Sequence, residues 1–598
     1  MNFAHYILSR IPRLLDKCWP KTKKIIKLLV HGRIDLILLG IGKVFKNSIV
    51  GQSSSIASDM SVVDISVIGI VILATPHTHY IGHLIQKALA EIDCHTILSD
   101  RFSEEQDHGQ LHFVICPQMF AKLPRNFIAF QLEQSISSRW FTYEYFKILR
   151  KAYCIFEYSV KNIEFLTENK VPYQKIFYLP IGSFPGYTSY LKELGYSLSL
   201  REEKIEVLFY GDPNCERRQR YLERLKSVFD VHVASEIFGE SLVSLVCRAK
   251  VVVNIHYYDD ALLETTRIHE ALSLGTPIVS ESSIDIQYYA ELNEVISFVP
   301  IGDIEAMIRE VHLLLKDDLQ EQRKYTILQF IQYDRKFFDY FKRFLLSTDL
   351  FNYSLNDYAR EVEFVHSSNN YTESRLCLTL TETPMRKSSF LAKNTHGFEM
   401  VEGLRYSPGW IGCGMSYKYM LEEMKKLGYE EVIICEDDVA FPDDIEHRIS
   451  ITRSYLKQTK HRWHIFAGLI ADVHPDTKIL HIEEYEGIEY IYIDKMTSMV
   501  MNIYSLEIME IISLWDQTNK NVETNTIDRY IESHTDIIVV TTLPYLVGHT
   551  EDQSSTLWGG LNTQYSAMIY NSEEILARKV CEYKSNLGLA PCHGMLEP

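Results

Sequence analysis

The chain has 11 cysteines, scattered from Cys18 to Cys592, and no Cys-x-x-Cys among them. A zinc ribbon or a thiol redox pair needs that spacing. The scatter also suggests no disulfide framework, so a reducing compartment is expected. Long hydrophobic runs are missing too. None approaches the ~18 residues that a membrane-spanning helix requires, and no signal-peptide cleavage pattern follows the N-terminus, so the expected location is the cytoplasm. Glycine (27) and proline (18) are modest in number among 598 residues, which excludes the collagen-like and disordered classes. Positive charge is in deficit, with 61 Lys and Arg against 79 Asp and Glu for a formal net charge of -18. That balance argues against a nucleic-acid partner, because phosphate neutralisation needs a basic field.

What is present is ample apolar material, 46% hydrophobic and 12% aromatic. At ~150 residues per domain the length predicts three or four units, each with its own core. Residues 1–60 stand apart. Up to Val50 they carry Arg10, Arg13, Lys17, Lys21, Lys23, Lys24, Lys27, Arg33, Lys43 and Lys46 against only Asp16 and Asp35. Interleaved Ile25, Ile26, Leu28 and Leu29 make this a basic amphipathic extension. Two readings fit it: peripheral contact with the anionic inner face of the cell membrane, or docking on the protein's own acidic body.

From Ser61 short apolar strands alternate with helical periodicity, the signature of parallel α/β sheets. Strands are expected at 67–73, 111–115, 127–132, 153–158 and 176–179, then at 205–210, 250–256 and 277–280. This predicts a module over 61–346, with Rossmann-like lobes at about 61–185 and 200–320 and a crossover helix at 321–346. An Asn-, Ser- and Tyr-rich stretch at 347–372 is the expected linker, leaving both modules free to fold alone. Residues 373–598 form the last unit. Its centre is the apolar run from Glu431 to Cys435 that ends in Glu436, Asp437 and Asp438. Ligands of open α/β sheets bind at the C-terminal tips of strands. Alternation along a strand would put Glu436 and Asp438 on one face and Asp437 on the other, offering two oxygen donors to a hard divalent cation. An isolated acidic triplet also fits a solvated loop.

Upstream stand Gly409, Gly412, Cys413 and Ser416, read as a glycine-rich turn before a helix. The order Gly-x-x-Gly-Cys-x-x-Ser, helix, apolar strand, Glu-Asp-Asp resembles the bacterial lipooligosaccharide glycosyltransferases and the related collagen galactosyltransferases, over about 373–598. Where that family usually has His after the Ser, this chain has Tyr417. Earlier, Arg267 to Val279 contains Glu270-Ala271 and Gly275-Thr276-Pro277, which resembles the signature of GT-B glycosyltransferases. A second Glu that many members carry eight residues earlier is Leu262 here.

Together the resemblances imply an α/β protein with a GT-B-like pair of lobes followed by a GT-A-like single domain. They imply two transferases that take nucleotide sugars such as a UDP-hexose and extend a growing bacterial surface glycan or glycolipid, with inversion at the C-terminal module. Glu270 would accept hydrogen bonds from the ribose and serve catalysis in the first module, with Gly275 and Thr276 beside it. Arg217 and Arg218, at a helix start, fit a diphosphate or an ordinary solvated surface. In the second module Gly412, Ser416 and Asp437 would contact the donor. Glu436 and Asp438, with His549, would hold Mn²⁺ or Mg²⁺, and Asp528 would act as general base. A different class also fits the residues: a glycan- or nucleotide-binding scaffold without turnover, which Leu262 favours for the first module and the intact triplet disfavours for the second.

Overall fold

The computed structural model describes residues 69–588, apart from 105–106, 108, 138, 199–203, 365–373, 394–395, 552 and 554–561. The basic extension expected at 1–60 lies outside the described residues. Among the described residues no helix is long and apolar enough to cross a membrane.

The first lobe is a six-stranded parallel sheet of β1 (Ile70–Leu73), β2 (Thr96–Ser99), β3 (His112–Ile115), β4 (Phe127–Gln131), β5 (Ile155–Glu157) and β6 (Ile176–Tyr178), in the order β2-β1-β3-β4-β5-β6. Runs such as Phe-Ile-Ala-Phe-Gln in β4 are buried along their whole length, as strands covered by helices on both faces must be. The second lobe is parallel as well. It contains β7 (Ile205–Tyr210), β8 (Val231–Ala234), β9 (Ala249–Asn254), β10 (Ile278–Glu281) and β11 (Ile296–Val299), ordered β11-β10-β9-β7-β8.

The expected crossover helix is two helices, Asp317–Tyr333 and Lys336–Leu346. The break falls at Asp334, whose carboxylate accepts the Ser183 amide at 2.8 Å. The second helix returns to the first lobe, where Phe341 and Phe344 pack on Phe113, Phe156 and Phe177. Gly182 permits this approach, since a Cβ there would lie 2.9 Å from the Phe337 Cβ.

The C-terminal sheet has eight strands. They are β12 (Arg375–Thr379), β13 (Glu399–Glu402), β14 (Glu431–Glu436), β16 (Ile465–Ala467), β17 (Ile479–Tyr485), β18 (Ile488–Ile493), β19 (Met501–Ser505) and β20 (Val539–Thr542), ordered β13-β12-β14-β19-β16-β20-β18-β17. β14 runs parallel to β12 and antiparallel to β19, so the carboxylate strand is parallel on one side only. A separate two-stranded ribbon pairs β15 (Val439–Ala440) with β21 (Gly548–His549).

The stretch expected as a linker is part of the core. Its described residues include the helix Leu355–Glu361, started by a Ser354/Asp357 capping box, with Phe351, Leu355 and Tyr358 buried. The two modules are also joined by ions. Glu382 accepts the Tyr178 amide of β6 at 3.0 Å and both ends of the Arg343 guanidinium at 2.7 and 3.0 Å. Arg405 donates to the carbonyls of Tyr173, Gln174 and Ile176. The expectation of modules that fold alone therefore meets a buried, paired interface.

Candidate active site

β14 ends at Glu436, and the chain turns before alternation can place the next two acids. Asp437 and Asp438 consequently converge instead of facing apart. Asp437 accepts from Thr379 Oγ1 at 2.9 Å and from Arg386 Nε at 2.8 Å, and Arg386 reaches Asp438 at 2.9 Å. The β15–β21 ribbon then brings His549 to the same place. Val439 is registered with His549, so His549 Nε2 sits 3.3 Å from Asp438 Oδ2. Asn562 Nδ2 donates to that oxygen at 3.0 Å and to the Thr550 carbonyl at 3.1 Å.

Charge in this site is unbalanced. Burial and the neighbouring Asp438 push the Glu436 carboxyl up to about 8, with Asp528 adding its own repulsion. Burial opposes the ionisation of Asp438 too, yet the His549 hydrogen bond and the Arg386 charge hold it down at about 2. Asp528 lies in the first turn of the helix Ile527–Glu532 and accepts from Thr526 Oγ1 at 2.6 Å. Glu436, Asp437 and Asp438 thus share the Arg386 guanidinium.

Two buried atoms of this site have no hydrogen-bond partner among the described residues, Asp438 Oδ1 and His549 Nδ1; the carboxylate oxygen suits Mn²⁺ or Mg²⁺, and the imidazole nitrogen favours Mn²⁺ of the two. The three expected ligands are not drawn into one tight cluster. Among the described residues, the set with three donor atoms within 4.8 Å of one another is His461, His481 and Glu483.

Gly412 and Ser416 are placed differently from their expected role. The segment from Gly409 is the opening of the helix Gly409–Lys426, not a loop. A Cβ on Gly412 would lie 2.8 Å from the Leu404 oxygen and the Tyr406 nitrogen. Ser416 Oγ accepts the Leu404 amide at 2.8 Å and donates to the Gly412 carbonyl at 2.7 Å. Both residues lock the helix to the strand-following segment. Tyr417, where the family usually has His, is buried and donates to the Met499 carbonyl at 2.9 Å.

Residues 381–485 match glycosyltransferase family 25 (LPS biosynthesis protein). This family 25 segment contains Arg386, Ser416 and the whole carboxylate triplet, and it ends before Asp528 and His549. No curated protein matches the chain. Among solved structures, the chain is similar to a sucrose-phosphate synthase from Thermosynechococcus elongatus at 14% identity, TM-score 0.29, covering 44% of this chain and 94% of that one. It is also similar to WaaG, a glycosyltransferase involved in lipopolysaccharide biosynthesis, at 10% identity, TM-score 0.29, covering 49% and 99%. A third is HepE of Anabaena, in complex with UDP and glucose, at 12% identity, TM-score 0.28, covering 44% and 94%.

In the N-terminal module the expected nucleotide residues have partners within the chain. Glu270 lies on the helix Thr265–Ser273, and burial pushes its carboxyl up to about 7 against the pull of Arg267. Gly275, at φ +77°, makes the left-handed turn after that helix. Thr276 is buried and donates to the Val246 carbonyl at 2.8 Å. Arg217 and Arg218 are not solvated surface charges: both are buried and paired with carboxylates. Arg217 clamps Glu281 with both ends of its guanidinium and reaches Asp259 at 2.9 Å. Arg218 is spent on the carbonyls of Ile255 and Asp212, at 2.9 and 2.8 Å, and on Glu264 at 3.3 Å. Glu264, two residues beyond Leu262, also takes His256 Nδ1 at 2.7 Å and Asn254 Nδ2 at 3.0 Å.

Proposed function

We propose that this chain is a glycosyltransferase that moves a hexose from a nucleotide-sugar donor such as a UDP-hexose onto a growing bacterial surface glycan, with inversion at its C-terminal module. One observation supports this above others: the segment that matches family 25 carries three acids at the tip of a sheet strand, and Asp438 among them meets His549 and Asn562. Glu436, Asp438 and His549 would hold Mn²⁺ or Mg²⁺, which supplies a Lewis acid for the departing diphosphate. Arg386 and Thr379 fix Asp437, and through the shared guanidinium they orient Asp438. Asp528 takes the proton of the acceptor hydroxyl as its oxygen bonds to the sugar C1 and the C1–O bond to the diphosphate breaks. A groove of about 260 Å³ beside His549, lined by Tyr545, Tyr570 and Glu573 among others, offers aromatic and acidic surface suited to a saccharide acceptor. Transfer assayed by product mass, with and without chelator, tests the reading.

For the N-terminal module we infer either a second transferase or a glycan- or nucleotide-binding scaffold without turnover. The pairing of Arg217, Arg218 and Thr276 with internal partners favours the reading without turnover. Donor hydrolysis by Asp438→Asn protein, which leaves the first module intact, decides between them: residual turnover lost on Glu270→Ala marks a second enzyme.

A further inference from the structure

The outer strand β17 carries His481 and Glu483 two residues apart, hence on one face, and β18, β20, β16 and β19 separate it from the carboxylate strand β14. His461 comes to the same face from the connection between the helix Ile445–Gln458 and β16. One donor atom from each of the three lies within 4.8 Å of the others. The two imidazoles stand with centroids 4.0 Å apart at an interplanar angle of 36°, and no described residue takes up a ring nitrogen of either. Glu483 is held from behind. Tyr455 donates its hydroxyl to Oε2 at 2.7 Å and Thr459 donates to the same oxygen at 3.2 Å, with no hydrogen bond to Oε1 from a described residue. The Tyr455 hydroxyl is itself 2.6 Å from that of Tyr492, and Thr459 Oγ1 accepts the His461 amide at 3.2 Å.

We propose that His461, His481 and Glu483 bind a zinc-class transition-metal ion, separate from the Mn²⁺ or Mg²⁺ expected at Asp438. Two imidazoles with one carboxylate select a borderline ion such as Zn²⁺ over Mg²⁺ or Ca²⁺, and water completes the coordination on the open side. Glutamate held by Tyr455 and Thr459 supplies the outer-shell support that metal ligands characteristically have. The ion clips the sheet's outer strand to the connection at 459–464, so it stabilises the folded chain in proportion to its occupancy.

The full chain, stripped with chelator and dialysed, is titrated with Zn²⁺ by calorimetry and with Co²⁺ by visible absorption. The expected result is a saturable site that raises the melting temperature and persists in Asp438→Asn, but is lost in His461→Gln and in His481→Gln. Tyr455→Phe lowers the affinity by roughly 10–100-fold while keeping the Co²⁺ spectrum, the usual effect of removing an outer-shell partner. Because His461 is exposed and His481 half-buried, both variants are expected to melt like the parent in chelator. Unchanged zinc stoichiometry and affinity in the His461→Gln/His481→Gln double variant overturns the proposal, as does the absence of saturable zinc uptake by the unmodified chain.

Discussion

Asp438 gathers more partners than any other acid of the proposed C-terminal site: Arg386, His549 and Asn562 all reach its carboxylate. Asn562 touches Asp438, His549 and the Thr550 carbonyl together, so it acts on the proposed ligands by positioning them. Asn562→Ala should lower transfer by roughly 10–100-fold, with the loss partly restored by raising Mn²⁺. An equal loss at every Mn²⁺ concentration would point away from a positioning role. Glu270 gives a pH test in the other module. Its carboxyl is raised from 4.5 to about 7. A raised carboxyl contributes its full stability below the unfolded value and loses it as pH climbs to the folded one, so the window runs from about 4.5 to about 7. A melting series should show that decline in the parent and not in Glu270→Gln. UDP affinity should move the opposite way, rising through about pH 7 in the parent as the carboxylate becomes a better acceptor for ribose hydroxyls. At this scale the acids and His549 were visible in the sequence as a strand tip and a late polar motif. Arg386 and Asn562 were not, because each lies far along the chain from Asp438 and only the folded sheet and ribbon bring them in. The pairing of Arg217 and Arg218 was not legible either: a basic pair at a helix start says nothing of Glu281 and Glu264, which come to it from distant stretches.

Among the elements, strands buried on both faces announce themselves as apolar runs. β7 occupies the expected 205–210, and β3, β4 and β9 lie within a residue or two of their expected spans. The strands that the pattern does not predict include β2, β8, β13 and β17, all at sheet edges and half-exposed, and also the largely buried β11 and the fully buried β20, short apolar runs to which edge exposure does not apply. Polar residues on an edge strand erase the apolar run without weakening the ladder. β6 is an edge strand that was legible, because the C-terminal module covers it and keeps it apolar. Two substitutions test the elements that place the sites. Gly412→Ala forces a methyl against the backbone of Leu404 and Tyr406, where neither atom can swing aside, and should cost about 1–3 kcal/mol of stability. If Gly412 served the donor instead, the change would raise the donor KM and leave the melting temperature alone. Phe341→Ala empties the contact between the returning helix and the first lobe and should cost about 3–5 kcal/mol, measured by denaturant unfolding.

Over the whole molecule, the modules behave as neighbours in one core. Glu382, buried between them, is held well below the usual carboxylate range by Arg343 and Arg405 in spite of its burial. Removing one partner of such a pair leaves an uncompensated charge, so Glu382→Ala should cost about 3–5 kcal/mol. Calorimetry should then resolve two unfolding transitions where the parent shows one. Two transitions already present in the parent would mean that the modules are independent despite the contact. This junction was illegible in the sequence because its three ionic partners come from separate stretches and look like ordinary surface charges.

The most direct test of the account is sugar transfer by Asp438→Asn. Replacing a carboxylate by an amide leaves the volume unchanged and removes the charge that a hard cation and its diphosphate require. With the natural acceptor, a UDP-hexose and Mn²⁺, the parent should yield a hexose-extended product by mass spectrometry. Loss of several kcal/mol of transition-state stabilisation should slow the variant by about a thousandfold or more, with its melting temperature in chelator close to the parent's. Product formation at the parental rate in Asp438→Asn, or in the parent under excess chelator, would contradict the assignment of the C-terminal carboxylates as a metal-dependent transferase site.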